Sequence, residues 1–374
     1  MIFIKSLKKA FLFGLILACF LLPILVLAQS DDEIFKAEVI EILDTSKVNS
    51  EDGLEIIQQN ILLKGLGGIW KDKEVIFYGI DDYSVISNNV YMVGDKVLVV
   101  ASPGLEGEEN YYITDYVRYP YMWWLVVLFL VAVIWVGRWK GLRSVLALLI
   151  TFWIIIKFIV PRILAGANPI WVTVWGCLFI LLVIIYLTEG FNLKSHLAVG
   201  SIFLSLVITG LLAGIFTDLI KLSGAYQEEI MFLVGFGYGS INFKGLLLAG
   251  ILIGALGVLD DVVISQISAV KEIKIANDKL SAKEVYKKAM RIGVSHMGSM
   301  VNTLFMVYAG ASLPLLLLFS LNSPPFLSFS DVINNQLIAT EIVRSMVGAM
   351  GIILSIPIST FLASTLLKLK KSNN

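Results

Sequence analysis

Two hydropathy patterns divide the chain. Over residues 30–119, apolar and polar residues alternate at short range. That is the period of half-buried strands, and 35–43, 54–63, 74–78, 96–101 and 111–117 read as five of them. Turn-forming residues punctuate these runs: Gly79 and Asp82, Asn88 and Asn89, Gly94 and Asp95, Pro103 and Gly104. Five short strands in so small a space predict a closed or partly open β-barrel. After Pro120 the apolar residues come in long blocks. Seven blocks reach membrane-spanning length: 121–137, 144–160, 169–188, 197–216, 243–270, 297–319 and 342–366. The predicted fold class is an all-α polytopic membrane bundle of about seven transmembrane helices with a small N-terminal extracytoplasmic β-barrel-like domain.

Composition supports this division. Of the 374 residues, 57% are hydrophobic and 16% charged, and mean hydropathy is +0.85. A chain this apolar belongs in a bilayer. Net charge is zero, so no nucleic-acid partner is predicted. Of the 2 cysteines, Cys19 falls in a leader and Cys177 in an apolar span, so no disulfide framework is expected.

Residues 1–28 have the form of a secretory signal: Lys5, Lys8 and Lys9, an apolar core, then Val26-Leu27-Ala28. The alternative is an uncleaved signal anchor. The expected domains are then 30–119 (β domain), 120–367 (membrane helices) and 368–374 (tail). Basic residues follow alternate spans: Arg138, Lys140 and Arg143; Lys194 and His196; 7 between Lys271 and Arg291; Lys368, Lys370 and Lys371. This bias places those loops and the C-terminus in the cytoplasm and the β domain outside. Ser281 with Glu284 predicts a capped amphipathic helix on the inner leaflet. Segment 230–241 is too short and glycine-rich to cross, and is expected at the outer interface.

Candidate chemistry centres on the fifth span. At about 100° per residue, Gly254, Gly257, Asp260, Asp261, Ser265, Ser268 and Glu272 share one arc, with Leu256, Leu259, Val262 and Val263 opposite. Acidic groups at membrane depth face a partner, a cavity or a pathway. Two carboxylates so close cannot both ionise cheaply in a dry site, so one keeps its proton or a cation lies beside it. On the sixth span Ser295, His296, Ser299, Asn302 and Thr303 share an arc opposite Met297, Val301, Leu304 and Tyr308. Such a face serves equally as a packing seam. At the start of the seventh span Glu341 and Arg344 have the spacing of an ion pair. Pro357, later in that span, is expected to kink it.

These stretches resemble the YibE/F family of bacterial multi-span membrane proteins. The residues carrying the resemblance are Gly254-Ala-Leu-Gly257, Asp261 with Ser265 and Ser268, Asn302-Thr303-Leu304 with Tyr308-Ala-Gly310, residues 312–319, and Glu341-Ile-Val-Arg-Ser345 with Gly348 and Pro357. The resemblance implies a bacterial cell-membrane protein, often described as a permease, with no established solute. Family members carry an apolar residue where Asp260 stands, so Asp261 is the transferable position. They often carry Arg-Asp entering the sixth span, where this chain has Val294-Ser295.

No Ser/His/Asp arrangement, phosphate loop or zinc spacing is present, so an enzyme is not expected, nor a metal or cofactor. The expected function is a permease or secondary transporter for a small solute or ion. Asp261 and Asp260 would lie on its pathway, together with Ser265, Ser268, Ser299, Asn302, Thr303, Glu341 and Arg344. The alternative is a non-transporting envelope scaffold or receptor whose outer β domain binds a partner. Either is a bilayer protein, and a homo-oligomer is compatible with both.

Overall fold

The computed structural model describes residues 33–49, 55–80, 90–103, 109–226, 228–320, 324 and 326–367. The expected leader (1–28) and tail (368–374) lie outside the described residues. The chain divides into two compact units, with the boundary at Ala132/Val133.

The first unit contains a five-stranded antiparallel sheet at the expected positions: β1 (Glu33–Asn49), β2 (Glu55–Gly65), β3 (Glu74–Tyr78), β4 (Lys96–Pro103) and β5 (Glu109–Tyr116). Their order is β3-β2-β1-β4-β5. β1 serves two partners, pairing β4 through 33–38 and β2 through 37–49. Register shifts between Val39 and Glu41 and between Ile42 and Asp44 let it bend from one to the other. Alternate residues face inward, so Phe35, Ala37, Val39, Ile61, Leu63, Val75, Phe77, Val97 and Val99 form one core. Trp70 closes it, stacked on Phe35 with centroids 4.6 Å apart. Gln59 is buried within this unit. Its amide accepts from Tyr91 N at 2.8 Å and donates to Tyr91 O at 3.3 Å, fixing the entry to β4.

Among the described residues of the helical part are α1 (Tyr119–Ile154), a π-helical turn (Ile155–Ile159), α2 (Val160–Leu164), α3 (Pro169–Thr188), α4 (Leu193–Leu219), α5 (Glu228–Leu233), α6 (Phe243–Ala276), α7 (Ala282–Ala311), α8 (Leu313–Ser320), α9 (Phe329–Asn334) and α10 (Gln336–Leu366). Five helical stretches are long and apolar enough to cross a membrane, or six if the bent pair α7–α8 counts as one span. Asparagine sets four of the starts. Asn168, Asn192, Asn242 and Asn335 each accept a hydrogen bond from an N–H two or three residues on. The caps at Asn192 and Asn335 begin α4 and α10 several residues before the apolar blocks do.

Two expected boundaries differ. The blocks at 121–137 and 144–160 lie in one helical stretch, Tyr119–Leu164, of 46 residues. It is interrupted at Arg138 (φ 48°, ψ −130°). A Cβ added at Gly141 would collide with Val133 O, eight residues back, so the helix axis does not run straight through that break. The Ser281–Glu284 capping box is present, but the helix it starts runs unbroken to Ala311, joining the amphipathic segment to the sixth span. Nothing between Arg291 and Met297 breaks a helix; Gly293 carries the largest propensity cost there. The break comes instead at Ser312, where the chain bends by 68° into Leu313–Ser320. Pro357 does not interrupt α10.

The second unit is bound by close helix crossings rich in small and hydroxyl residues. A Cβ added at Gly351 of α10 would collide with Thr209 Oγ1 of α4. Ser201, Ser205, Thr209, Ser355, Ser359 and Thr360 are all buried. Each hydroxyl bonds a carbonyl of its own helix at 2.6–3.1 Å.

The two ends of this unit differ in charge. At one, Glu189 bonds Lys194 at 2.7 Å, and Lys140 and Lys271 also act on its carboxylate. Lys274 Nζ donates to Leu367 O at 2.8 Å at the end of α10. These residues follow the first, third, fifth and seventh apolar blocks. Ser223 after α4 accepts from Gln336 of α10 at 2.6 Å, and Asp218 pairs with Lys244.

Candidate functional site

α6 has 34 residues, and Asp260 and Asp261 lie near its middle. At 1.5 Å per residue, Asp261 is about 27 Å from one end and 22 Å from the other. The apolar side of the helix is buried: Leu256, Leu259, Val262, Val263 and Ile267 are at most 2% exposed. That burial fixes the rotation of the helix and turns Asp261 and Ser265 outward, where both are exposed, with Asp260 at the margin. Asp260 Oδ1 accepts from the Asp261 backbone N–H at 2.9 Å. Among the described residues, no hydrogen bond from another helix holds either carboxylate. Ser268 Oγ is turned back on Ile264 O at 2.6 Å.

α7 is oriented by the same principle. Leu304 is buried with Val262, Ala349, Ile352 and Ile356, and Met297, Val301 and Tyr308 pack around them. The opposite arc, with Ser295, Ser299, Asn302 and Thr303, is exposed. Thr303 Oγ1 donates to Ser299 O at 3.0 Å within the helix. The seam between α6 and α7 is thus mainly apolar, with the exposed polar residues of both helices beside it. His296, one turn before Ser299, is the ionisable neighbour of Asp261 across that contact. Its Nε2 is buried and has no hydrogen-bond partner among the described residues.

Glu341 and Arg344 form the expected pair, Nη1 to Oε1 at 2.8 Å, each side chain about one-fifth exposed. They sit near the start of α10 and are not gathered with the Asp261 group. The Tyr308 hydroxyl lies against Gly254, where an added Cβ would be 3.3 Å away.

Sequence reasoning passed over Gln266. It is 3% exposed, and its Nε2 donates to Ala289 O at 2.9 Å and Thr360 Oγ1 at 2.7 Å, tying α6 to α7 and α10. Gly293 makes room for it: an added Cβ would stand 2.9 Å from the Gln266 amide and 2.6 Å from Ile356 Cγ2. The available signal was one amide on the apolar side of the fifth span. Among the described residues no three His, Cys, Asp or Glu side chains gather as a metal-binding group.

Comparison with curated proteins gave no match, and comparison with solved structures gave none. A family model described as YibE/F-like protein matches residues 125–369, which contain every candidate residue above. The chain therefore belongs to the YibE/F-like protein family.

Proposed function

We propose that this protein is a permease or secondary transporter for a small solute or ion, with Asp261 as the group that carries or pairs with the moving charge. One observation carries the reading: an acidic side chain midway along an apolar helix is exposed and, among the described residues, hydrogen-bonded to no other helix. A carboxylate left in hydrocarbon is costly, so such a group faces water, an ion or a partner. The exposed hydroxyls and amide of α7 supply polar surface beside it, and the buried Nε2 of His296, without a hydrogen-bond partner among the described residues, is on the same helix. In this reading there are seven spans, Tyr119–Leu164 crossing twice. The Glu189 end is cytoplasmic, since the basic residues following alternate spans meet there. The β domain is extracytoplasmic, and the membrane is a bacterial cell membrane.

The test uses proteoliposomes holding a pH-sensitive dye and an imposed pH gradient, with solutes taken from a screen for what accumulates in cells lacking the protein. Wild type should couple flux to the gradient. Asp261→Asn should abolish it with folding intact, and wild-type flux from that variant would refute the assignment.

A second reading keeps the envelope-receptor alternative, because of the β domain. We read its sheet as a partly open barrel. A cleft of about 500 Å³ is lined by Glu74, Val75, Ile76 and Tyr78 of β3 and by 109–112 of β5, the two edge strands. Unpaired strand edges can accept an extended segment of a partner. A receptor would lose partner capture when this cleft is altered and would be indifferent to Asp261→Asn.

A further inference from the structure

A second site lies within the helical unit, at the end where the α4–α5 connection meets the start of α10. A partly open cavity of about 270 Å³ is lined by the π-helical turn, α2, α3, α5, α6 and α10. Its wall is largely aliphatic, with Ile159 among the lining residues, and its polar groups include Thr173, Gln336, Thr340 and Arg344. Two facts mark it as more than a packing gap. Thr173 is 0% exposed, lines the cavity, and its Oγ1 has no hydrogen-bond partner among the described residues. A buried hydroxyl left unpaired costs free energy that an acceptor or donor in the cavity would recover. Arg344 also lines it. The guanidinium has five N–H donors, and its recorded bond to Glu341 is made through Nη1.

We propose that this cavity binds a single-chain amphiphile, its hydrocarbon tail against the aliphatic wall and its carboxylate or phosphate head on Arg344 and Thr173. Water alone suits the space poorly, since a buried water needs two to four polar partners and most of this wall offers none. A fully polar anion would leave the aliphatic wall without a matching surface. An amphiphile matches both parts, and the surrounding bilayer is its natural source. The site is distinct from the Asp261 region: the α6 residues lining it run from Leu246 to Ile253, at least two turns before Asp261. The proposal does not rest on transport.

The π-helical turn belongs to the construction. Pro161 lacks an N–H, so the regular bond to the carbonyl four residues earlier cannot form. The Val160 N–H bonds Ile155 O, five residues back, and the widened turn brings Ile155 and Ile159 to the cavity.

The experiment uses the full chain in nanodiscs and photoreactive decanoate, decyl phosphate and decanol. Saturable labelling is expected on peptides spanning 155–163, 173 and 246–253 with at least one of the two acidic probes. The tighter of them tells a fatty-acid source from a phosphate-headed one. Decanol should bind about tenfold more weakly, the scale of a charge-assisted hydrogen bond. Gly250 lines the cavity and a Cβ there meets nothing within 4 Å, so Gly250→Leu should fill the space and remove the labelling while the unfolding temperature holds. Thr173→Val should weaken labelling by the acidic probes without affecting decanol. Asp261→Asn should leave all labelling unchanged, separating this site from the transport reading. Undiminished labelling of a folded Gly250→Leu variant would overturn the proposal. So would equal labelling by decanol and the acids, or no saturable labelling by any probe.

Discussion

The α4–α10 crossing and the exposed face of α6 and α7 are both polar stretches in apolar helices, and they are polar in different ways. At the crossing, Thr209, Ser355 and Ser359 are 0% exposed, and each hydroxyl bonds a carbonyl of its own helix. Gly351 brings the two backbones together over Thr209. Polarity there is satisfied locally and leaves a smooth contact surface. On the other face Asp261, Ser265, Ser299 and Asn302 are exposed and unshared between helices. A hydroxyl can be silenced by its own helix; a carboxylate cannot. The contrast separates polarity that lets helices pack from polarity left available to something else.

The largest expected effect breaks the comparison on its functional side. Asp261→Asn removes the charge and keeps the shape. Flux in proteoliposomes should vanish, with stability changed by less than about 0.5 kcal/mol, as for an exposed residue with no packing role. Ser355→Ala, at the crossing, should do the reverse, leaving flux unchanged. Loss of folding in Asp261→Asn would move Asp261 into the packing class and end the distinction.

Next come two changes at buried contacts, both read by denaturant or thermal unfolding in detergent. Gly351→Ala forces a methyl into Thr209 and should destabilise by about 1–3 kcal/mol. Adding Thr209→Ala should recover most of that loss, since the clash is with that side chain. Gln266→Leu leaves the Ala289 carbonyl and Thr360 without their shared donor, at a cost of about 1–3 kcal/mol. If the double variant Gly351→Ala/Thr209→Ala is no more stable than Gly351→Ala, the crossing is not the source of the strain.

The sequence was informative wherever local rules decide. The five strands came from period-two alternation, and Ser281 with Glu284 marked a true capping box. The arcs on the fifth and sixth spans were correct as arcs, because burial of Leu259, Val262 and Leu304 follows from helical periodicity. Periodicity does not say which neighbour a face meets, so the polar arcs could be expected in the seam between the helices, whereas that seam is mainly apolar. Long-range partners were equally hidden. Gln266 meets Thr360, 94 residues away, and only the fold places Gly293 beneath it. Glu341 and Arg344 pair as their spacing predicts, yet the fold puts Arg344 on a cavity away from Asp261. The interruption at Arg138 falls where the first apolar block ends at Gly137 and the basic residues Arg138, Lys140 and Arg143 begin.

The smallest expected effect concerns a charge held at a helix end, where polarity is both satisfied and ionised. Burial presses the Glu189 carboxyl upward. Lys194, through its hydrogen bond and charge, and then Lys140 and Lys271, outweigh that and hold it below the ordinary glutamate value. A carboxylate with a depressed folded value contributes stability that is present above its unfolded value and is lost as pH falls through the folded one. Glu189→Gln should therefore cost about 0.5–1 kcal/mol at neutral pH, the scale of a single partly exposed ion pair. The gap between variant and wild type should close on acidification, once Glu189 is protonated in both folded and unfolded states. Added salt should narrow it at neutral pH. A gap that persists in acid would mean that Glu189 acts through packing, as the hydroxyls of the α4–α10 crossing do, and that its lysines are bystanders.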